Sequence, residues 1–193
     1  SGPRPFAFGV WSDSQGDNRG AYEADRLEPT KSMMRWLAES GIDIAVTSGD
    51  LAEDGDSYEQ TKTMYIGRVG KELGRTVPWF TAWGNHDAGR RDVMRKFADM
   101  PSKDRERFDP GWGSFAFTYS NARFICIDHN TKGADIRRWL EDELASDATQ
   151  AAEHRFLFVH VPPYCELWVD GDEDLRTHLV PLAEQYGVDA VFS

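Results

Sequence analysis

An α/β fold is what this sequence predicts, and three observations carry the reading. Short apolar runs of strand length alternate with amphipathic stretches of helical period. Glycines and polar clusters punctuate the junctions between them. The resulting order, β-α-β-α-β-α-ββ-α-β-α-β, implies a mostly parallel or mixed sheet covered by helices. The length, 193 residues, suits a single domain over residues 1–193 with a sizeable core. Hydrophobic residues at 40% and charged residues at 28% place the chain among globular proteins.

Taken in order, residues 6–12 form an apolar run that enters the polar loop 13–18. Leu27, Met33, Met34, Trp36 and Leu37 give residues 26–39 a helical pattern, and Gly41 ends it. Residues 42–48 read as a second strand delivering Gly49-Asp50-Leu51-Ala52-Glu53. A helix over residues 57–73 follows, with Tyr58, Met64, Tyr65, Ile66 and Val69 on its inner side. Residues 76–82 form a third buried strand that runs into Trp83-Gly84-Asn85-His86-Asp87. A short helix is expected over residues 90–98, then a long loop over 100–113, of the length that often serves as a lid. Residues 114–119 and 122–128 read as a hairpin turning at Ser120-Asn121, and residues 136–144 as an amphipathic helix. Residues 155–159 make another buried strand, which ends at His160-Val161-Pro162-Pro163-Tyr164. A last helix over 175–186 and a strand over 188–193 close the chain.

Several function classes fall away at this stage. A net charge of −11 makes nucleic acid a poor default partner, because an acidic surface repels polyanions, whereas clustered carboxylates suit metal cations. No apolar run is long enough to cross a membrane. The start, Ser1 to Arg4, is too short and polar for a signal peptide. A soluble protein is expected, cytoplasmic or exported after leader removal. Cys126 and Cys165 are not a CxxC pair, and Cys126 inside an apolar strand reads as a buried free thiol. The acidic run Asp170 to Asp174 lacks the glycine and glutamate of a calcium loop and reads as a solvated loop.

Four strand ends carry metal-capable groups: Asp13 with Gln15, Asp50, Asn85 with His86 and Asp87, and His160. Each closes an apolar run. Carboxylate, amide oxygen and imidazole together suit Mn, Fe or Zn. A carboxylate bridging two such ions holds them about 3.5–4 Å apart. Taken singly, each residue also has an ordinary explanation. Asp13 and Asp50 can cap turns or helices, Asn85 is a turn residue, and His86 and His160 can be hydrogen-bonded histidines. His129, Arg90 and Tyr164 are the candidates for substrate contact, against surface or packing alternatives for each.

In this order, Asp13-Ser14-Gln15, Gly49-Asp50, Gly84-Asn85-His86-Asp87 and His160-Val161-Pro162 resemble the motifs of the calcineurin-like metallophosphoesterases: D-x-H, G-D, G-N-H-[DE] and H-x-P. The resemblance spans nearly the whole chain. It implies a two-sheet sandwich with helices on both outer faces, holding two divalent or trivalent metal ions. By that resemblance Asp13 and Gln15 hold the first ion, Asp50 bridges both, and Asn85 and His160 hold the second. A hydroxide between the metals attacks phosphorus, His86 assists the leaving oxygen, and Asp87 orients the His86 ring. Two departures accompany it. Gln15 stands where many relatives have His. Residues 188–193 resemble the strand that leads into a final G-H-x-H, so an incomplete domain is expected, one that binds metal weakly and turns over poorly. The function expected is hydrolysis of a small phosphodiester or phosphomonoester. A non-catalytic scaffold of the same fold and a nuclease are the alternatives.

Overall fold

The computed structural model describes residues 4–15, 24–53, 57–88, 107–108, 113–130, 133–166 and 171–193. The expected helix over 90–98 lies outside them, as do Arg90, residues 17–18, Asp170 and most of the 100–113 loop. None of the described helices is long and apolar enough to cross a membrane.

Among the described residues, eight strands fall into two sheets. The first is parallel, ordered β1 (Phe8–Trp11), β2 (Ile44–Thr47) and β3 (Trp79–Thr81). In register, Phe8 lies beside Ile44 and Ala45 beside Trp79. Since all three strands run the same way, the loops after them, carrying Asp13, Asp50 and Asn85, emerge from one edge. The second sheet is mixed, ordered β4 (Arg107–Phe108), β5 (Phe115–Tyr119), β6 (Ala122–Cys126), β7 (His154–Phe158) and β8 (Ala190–Phe192). β5 and β6 form the expected hairpin, with Ser120 at a φ of 54° in its turn. β6, β7 and β8 run parallel.

Strand periodicity divides the core into layers. On β2, Ile44 and Val46 face the second sheet while Ala45 packs with the helices. On β6, Phe124 and Cys126 face inward, and Ile125 joins the opposite, helix-covered cluster. The side chains of i and i+2 share a face, so each strand feeds two cores at once. The core between the sheets is aromatic: Phe80 stacks on Phe117 at 3.9 Å between centroids, and Phe117 on Phe124 at 5.1 Å. Phe124 also meets Phe8 edge-on at 5.2 Å. Such pairs add to area burial because ring edges and faces carry opposite partial charge. Outside the first sheet lies α1 (Ala24–Glu39), contributing Met34 and Leu37. Outside the second lie α3 (Gly133–Leu144) and two short helices, α5 (Glu173–His178) and α6 (Val180–Gln185). A buried ion pair fastens that layer: Arg123 on β6 donates to Glu143 on α3 at 2.8 Å, and Thr149 donates to the same oxygen at 2.8 Å.

Four expectations about elements need correction. The single helix expected over 175–186 is two, because Pro181 has no N–H to continue the ladder and sits instead in the first turn of α6. Asp172, read as part of a solvated acidic loop, caps α5 by accepting from the Leu175 N–H. The helix expected over 57–73 begins as α2 (Tyr58–Lys62) and continues as a π-helix over Thr63–Gly70. The loop expected over 100–113 contains β4, which pairs with β5 through Phe108 and Phe115. A short helix, α4 (Asp147–Ala151), capped by Ser146, had no expectation at all.

The stacked aromatic centre yields a direct test. Phe124→Ala removes a side chain that is 0% exposed and meets the rings of Phe6, Phe8, Phe117, Phe156 and Phe158, and it should cost about 3–5 kcal/mol of unfolding free energy in urea titration. A loss below about 1 kcal/mol would show that the two sheets do not depend on this contact.

Candidate metal centre

The loops after β1 and β2 both carry residues with left-handed backbones, Asp13 at φ 51° and Asp50 at φ 53°. Non-glycine residues hold that conformation at a cost of about 1–3 kcal/mol, and such positions concentrate at functional sites. Neighbouring glycines make room for them. Gly49 has a φ of 126°, and a Cβ there would lie 2.7 Å from the Gly84 nitrogen. A Cβ on Gly84 would lie 2.0 Å from Asp50 Oδ1. The loops after β2 and β3 therefore pass in backbone contact.

Asp87 explains how they stay there. Its carboxylate is fully buried and accepts four backbone N–H bonds: Asp50 at 2.7 Å, Leu51 at 3.0 Å, Ala52 at 3.1 Å and Gly84 at 3.1 Å. Asp50 returns the contact, its Oδ1 accepting the His86 N–H at 3.1 Å. Burial pushes the Asp87 carboxyl up to about 6, against the pull of the Ala52, Gly84 and Asp50 amides and with the Asp50 charge adding to the rise. At neutral pH it is ionised, and all four amides face an acceptor. The expectation that Asp87 orients the His86 ring is corrected here, since both of its oxygens are occupied by main chain.

The His86 ring is held by Glu53, which sequence reasoning missed. His86 Nδ1 lies 2.8 Å from the Glu53 carbonyl oxygen and 3.8 Å from its carboxylate. The carbonyl can only accept, so Nδ1 carries a proton. The bond to the Glu53 carbonyl raises the His86 pKa most; burial opposes it, and the charges of Asp50, Glu53 and Asp87 add to the rise. Glu53 follows Asp50 by three residues in the same loop, the one signal that pointed to it.

Three candidate ligands converge. Asp13, Asp50 and His160 each offer a ligand atom, all within 4.8 Å of one another. His160 Nε2 lies 3.2 Å from Asp50 Oδ2. Burial alone lowers the His160 pKa, but the Asp50 hydrogen bond, with the charges of Asp50, Asp13 and Asp87, outweighs it and raises it. The region is thus strongly negative. Gln15 reaches the same cluster, its Nε2 donating to Asp50 Oδ2 at 3.4 Å. Two buried atoms there have no hydrogen-bond partner, Gln15 Oε1 and His160 Nδ1. Ordinarily such atoms are paired, so an oxygen and a nitrogen left over beside two carboxylates suit a cation. Asn85 is exposed and lines, with Asp13 and His160, a cavity of about 480 Å³ that Val161, Pro162 and Cys165 also wall.

The substrate-contact candidates separate. His129 lies close: its N–H donates to the Trp83 carbonyl at 3.0 Å, and its ring stands edge-on to His160 at 5.9 Å. Tyr164 is 67% exposed, with its ring 5.8 Å from the Arg176 guanidinium. Arg90 lies outside the described residues.

Asp87→Asn tests the loop clamp. The amide NH2 would face main-chain donors, so metal-free protein should lose about 2–3 kcal/mol of stability in urea titration. Unchanged stability would mean the clamp contributes nothing.

Comparison with known proteins follows the same lines. The family model for calcineurin-like phosphoesterases matches residues 7–193. The serine/threonine-protein phosphatases CPPED1 of Homo sapiens and of Pongo abelii are each 24% identical over 201 residues, covering 95% of this chain. The chain spans 63% of the length of these curated relatives. Among solved structures, the purple acid phosphatase PPD1 of yellow lupin, Lupinus luteus, superposes with a TM-score of 0.66 at 19% identity, over 95% of this chain and 36% of that one. GAP50, the anchor in the inner membrane complex of Plasmodium, gives 0.64 at 20% identity, over 95% of this chain and 64% of that one. A dimetal phosphatase from Danio rerio gives 0.53 at 14% identity, over 96% and 79%. At these identities the structural likeness is one of fold: two sheets flanked by helices. With a family match across almost its whole length, the chain belongs to the calcineurin-like phosphoesterase family.

Proposed function

We propose that this protein is a metal-dependent hydrolase of a small phosphodiester or phosphomonoester. The observation that carries the reading is the convergence of Asp13, Asp50 and His160 within 4.8 Å, from three separate strand ends. The donor set fits metal: two carboxylates, an imidazole and the unpartnered Gln15 amide oxygen, with Asn85 beside them on the cavity wall. In this reading Asp13 and Gln15 would hold one ion, Asn85 and His160 would hold a second, and Asp50 would serve both. Mn, Fe and Zn are the metals this mixture of oxygen and nitrogen suits. When bound, such cations neutralise charge on a phosphate ester and lower the pKa of water.

The remaining work falls to the chain's own groups. Nδ1–H of His86 donates to the Glu53 carbonyl, which fixes the ring and leaves Nε2 to serve the departing oxygen. The raised pKa keeps more of the ring protonated at neutral pH, so Nε2–H can donate a proton or a hydrogen bond as the ester bond breaks. Asp87 acts one step back, by holding the loops that present Asp50 and His86.

A non-catalytic binding role is the second reading. It is favoured by Gln15, a neutral ligand and a weaker one than an imidazole or carboxylate, and by the likeness in fold to GAP50, an anchor.

Two measurements decide between them. Mn²⁺ titration of chelator-treated protein should give saturable binding that Asp50→Ala abolishes. His86→Ala should retain that binding while p-nitrophenyl phosphate or bis-p-nitrophenyl phosphate turnover falls about 100-fold or more. Faster turnover of one substrate than the other assigns the protein as monoesterase or diesterase. Tight metal binding with turnover of neither substrate would favour the binding role, and absence of metal binding would sink the metal-centre reading altogether.

A further inference from the structure

Arg68 is a cation where none is expected, 1% exposed in the middle of the helical layer behind the first sheet. Its guanidinium NH1 donates at 2.7 Å to the carbonyl oxygen of Ser14. Ser14 is itself buried and sits between Asp13 and Gln15, two of the candidate metal ligands. A buried carbonyl needs a donor, and this one is reached by a side chain 54 residues away in sequence. The geometry around Arg68 makes it a fixed post. It lies in the π-helical stretch Thr63–Gly70, between Met64 and Val69, both 1% exposed and both packed in the cluster that includes Trp11 at the end of β1. π-helical turns are rare and concentrate near functional sites. The loop it grips is one that resists its own conformation: Asp13 is left-handed, and its N–H donates to the Gly49 carbonyl at a long 3.2 Å.

We propose that Arg68 is a positioning residue for the Asp13–Gln15 half of the metal centre. By fixing the Ser14 carbonyl it sets where the Asp13 carboxylate and the Gln15 amide oxygen stand relative to Asp50. This rests on the metal-centre reading above and adds to it a residue from a helix that contributes no ligand. Partners that orient a metal's ligands typically account for about 10–100-fold in affinity.

The test is calorimetric titration of chelator-treated protein with Mn²⁺ alone, alongside metal-free thermal melting. Arg68→Met should weaken Mn²⁺ binding by about tenfold or more, and Arg68→Lys, which keeps a charged donor for the carbonyl, should recover part of that loss. Leu73→Ala is the control for general destabilisation, since Leu73 is 0% exposed in the same cluster and its main-chain bonds run to Val69, Thr76 and Val77 and not to Asp13, Ser14 or Gln15. It should lower the melting temperature and leave Mn²⁺ affinity within about twofold of the parent. Should Arg68→Met not fold, Arg68→Gln, which keeps a neutral donor, is read by the same criterion. Mn²⁺ affinity in the Arg68 variants equal to the parent's, or lost equally in Leu73→Ala, overturns the proposal. No Mn²⁺ binding by the parent overturns the metal-centre reading and this inference with it.

Discussion

One carboxylate holds the centre of this molecule together. Asp87 gathers four backbone amides from two loops, and Asp50 answers with a bond to the His86 amide. Buried main-chain donors must be paired, and a single ionised acceptor placed among four of them satisfies all at once. Without it the loops after β2 and β3 would expose those amides to an apolar surrounding. With it the loops pass in backbone contact, and the glycines at 49 and 84 are the residues small enough to permit that approach.

This constraint turns a parallel sheet into a site. Parallel strands send their carboxyl ends to one edge, and ligands in open α/β sheets gather there. β1, β2 and β3 bring Asp13, Asp50 and Asn85 to that edge, while β7 of the second sheet brings His160 across. The aromatic stack between the sheets fixes their separation, so His160 meets Asp50 at 3.2 Å through a rigid core. The carboxylates of Asp13, Asp50 and Asp87 then stand close to two imidazoles, those of His86 and His160, whose pKa values are raised. Such a concentration of negative charge is costly by itself and becomes favourable when a cation enters.

Much of this was readable beforehand because it is written in local chemistry. The strand runs, the polar residue closing each, and the order of the motifs are all near-neighbour patterns; they gave a helix-covered sheet, and the resemblance those motifs carry implied the two-sheet sandwich. What escaped was carried by main chain or by distance. Glu53 supports His86 through its carbonyl, which every residue possesses, so its side chain advertises nothing. The family resemblance assigned Asp87 to the His86 ring, yet its carboxylate accepts from the amides of residues 50–52. Arg68 would pass for a solvated helix residue, since its partner lies 54 positions upstream. The break at Pro181 is visible in the letters, since proline has no N–H to continue a helical ladder.

By itself the sequence determined the alternation of strands and helices, the family motifs and the chemical kinds of the candidate ligands. Periodicity, turn residues and side-chain donors are properties of short segments, and they survive without coordinates. Tertiary structure alone decided which acceptor holds which amide, which group steadies the His86 ring, and that a buried guanidinium underpins the Asp13 loop. Those are pairings between residues that the chain separates by tens of positions, and they form only when the two sheets and their helices have packed.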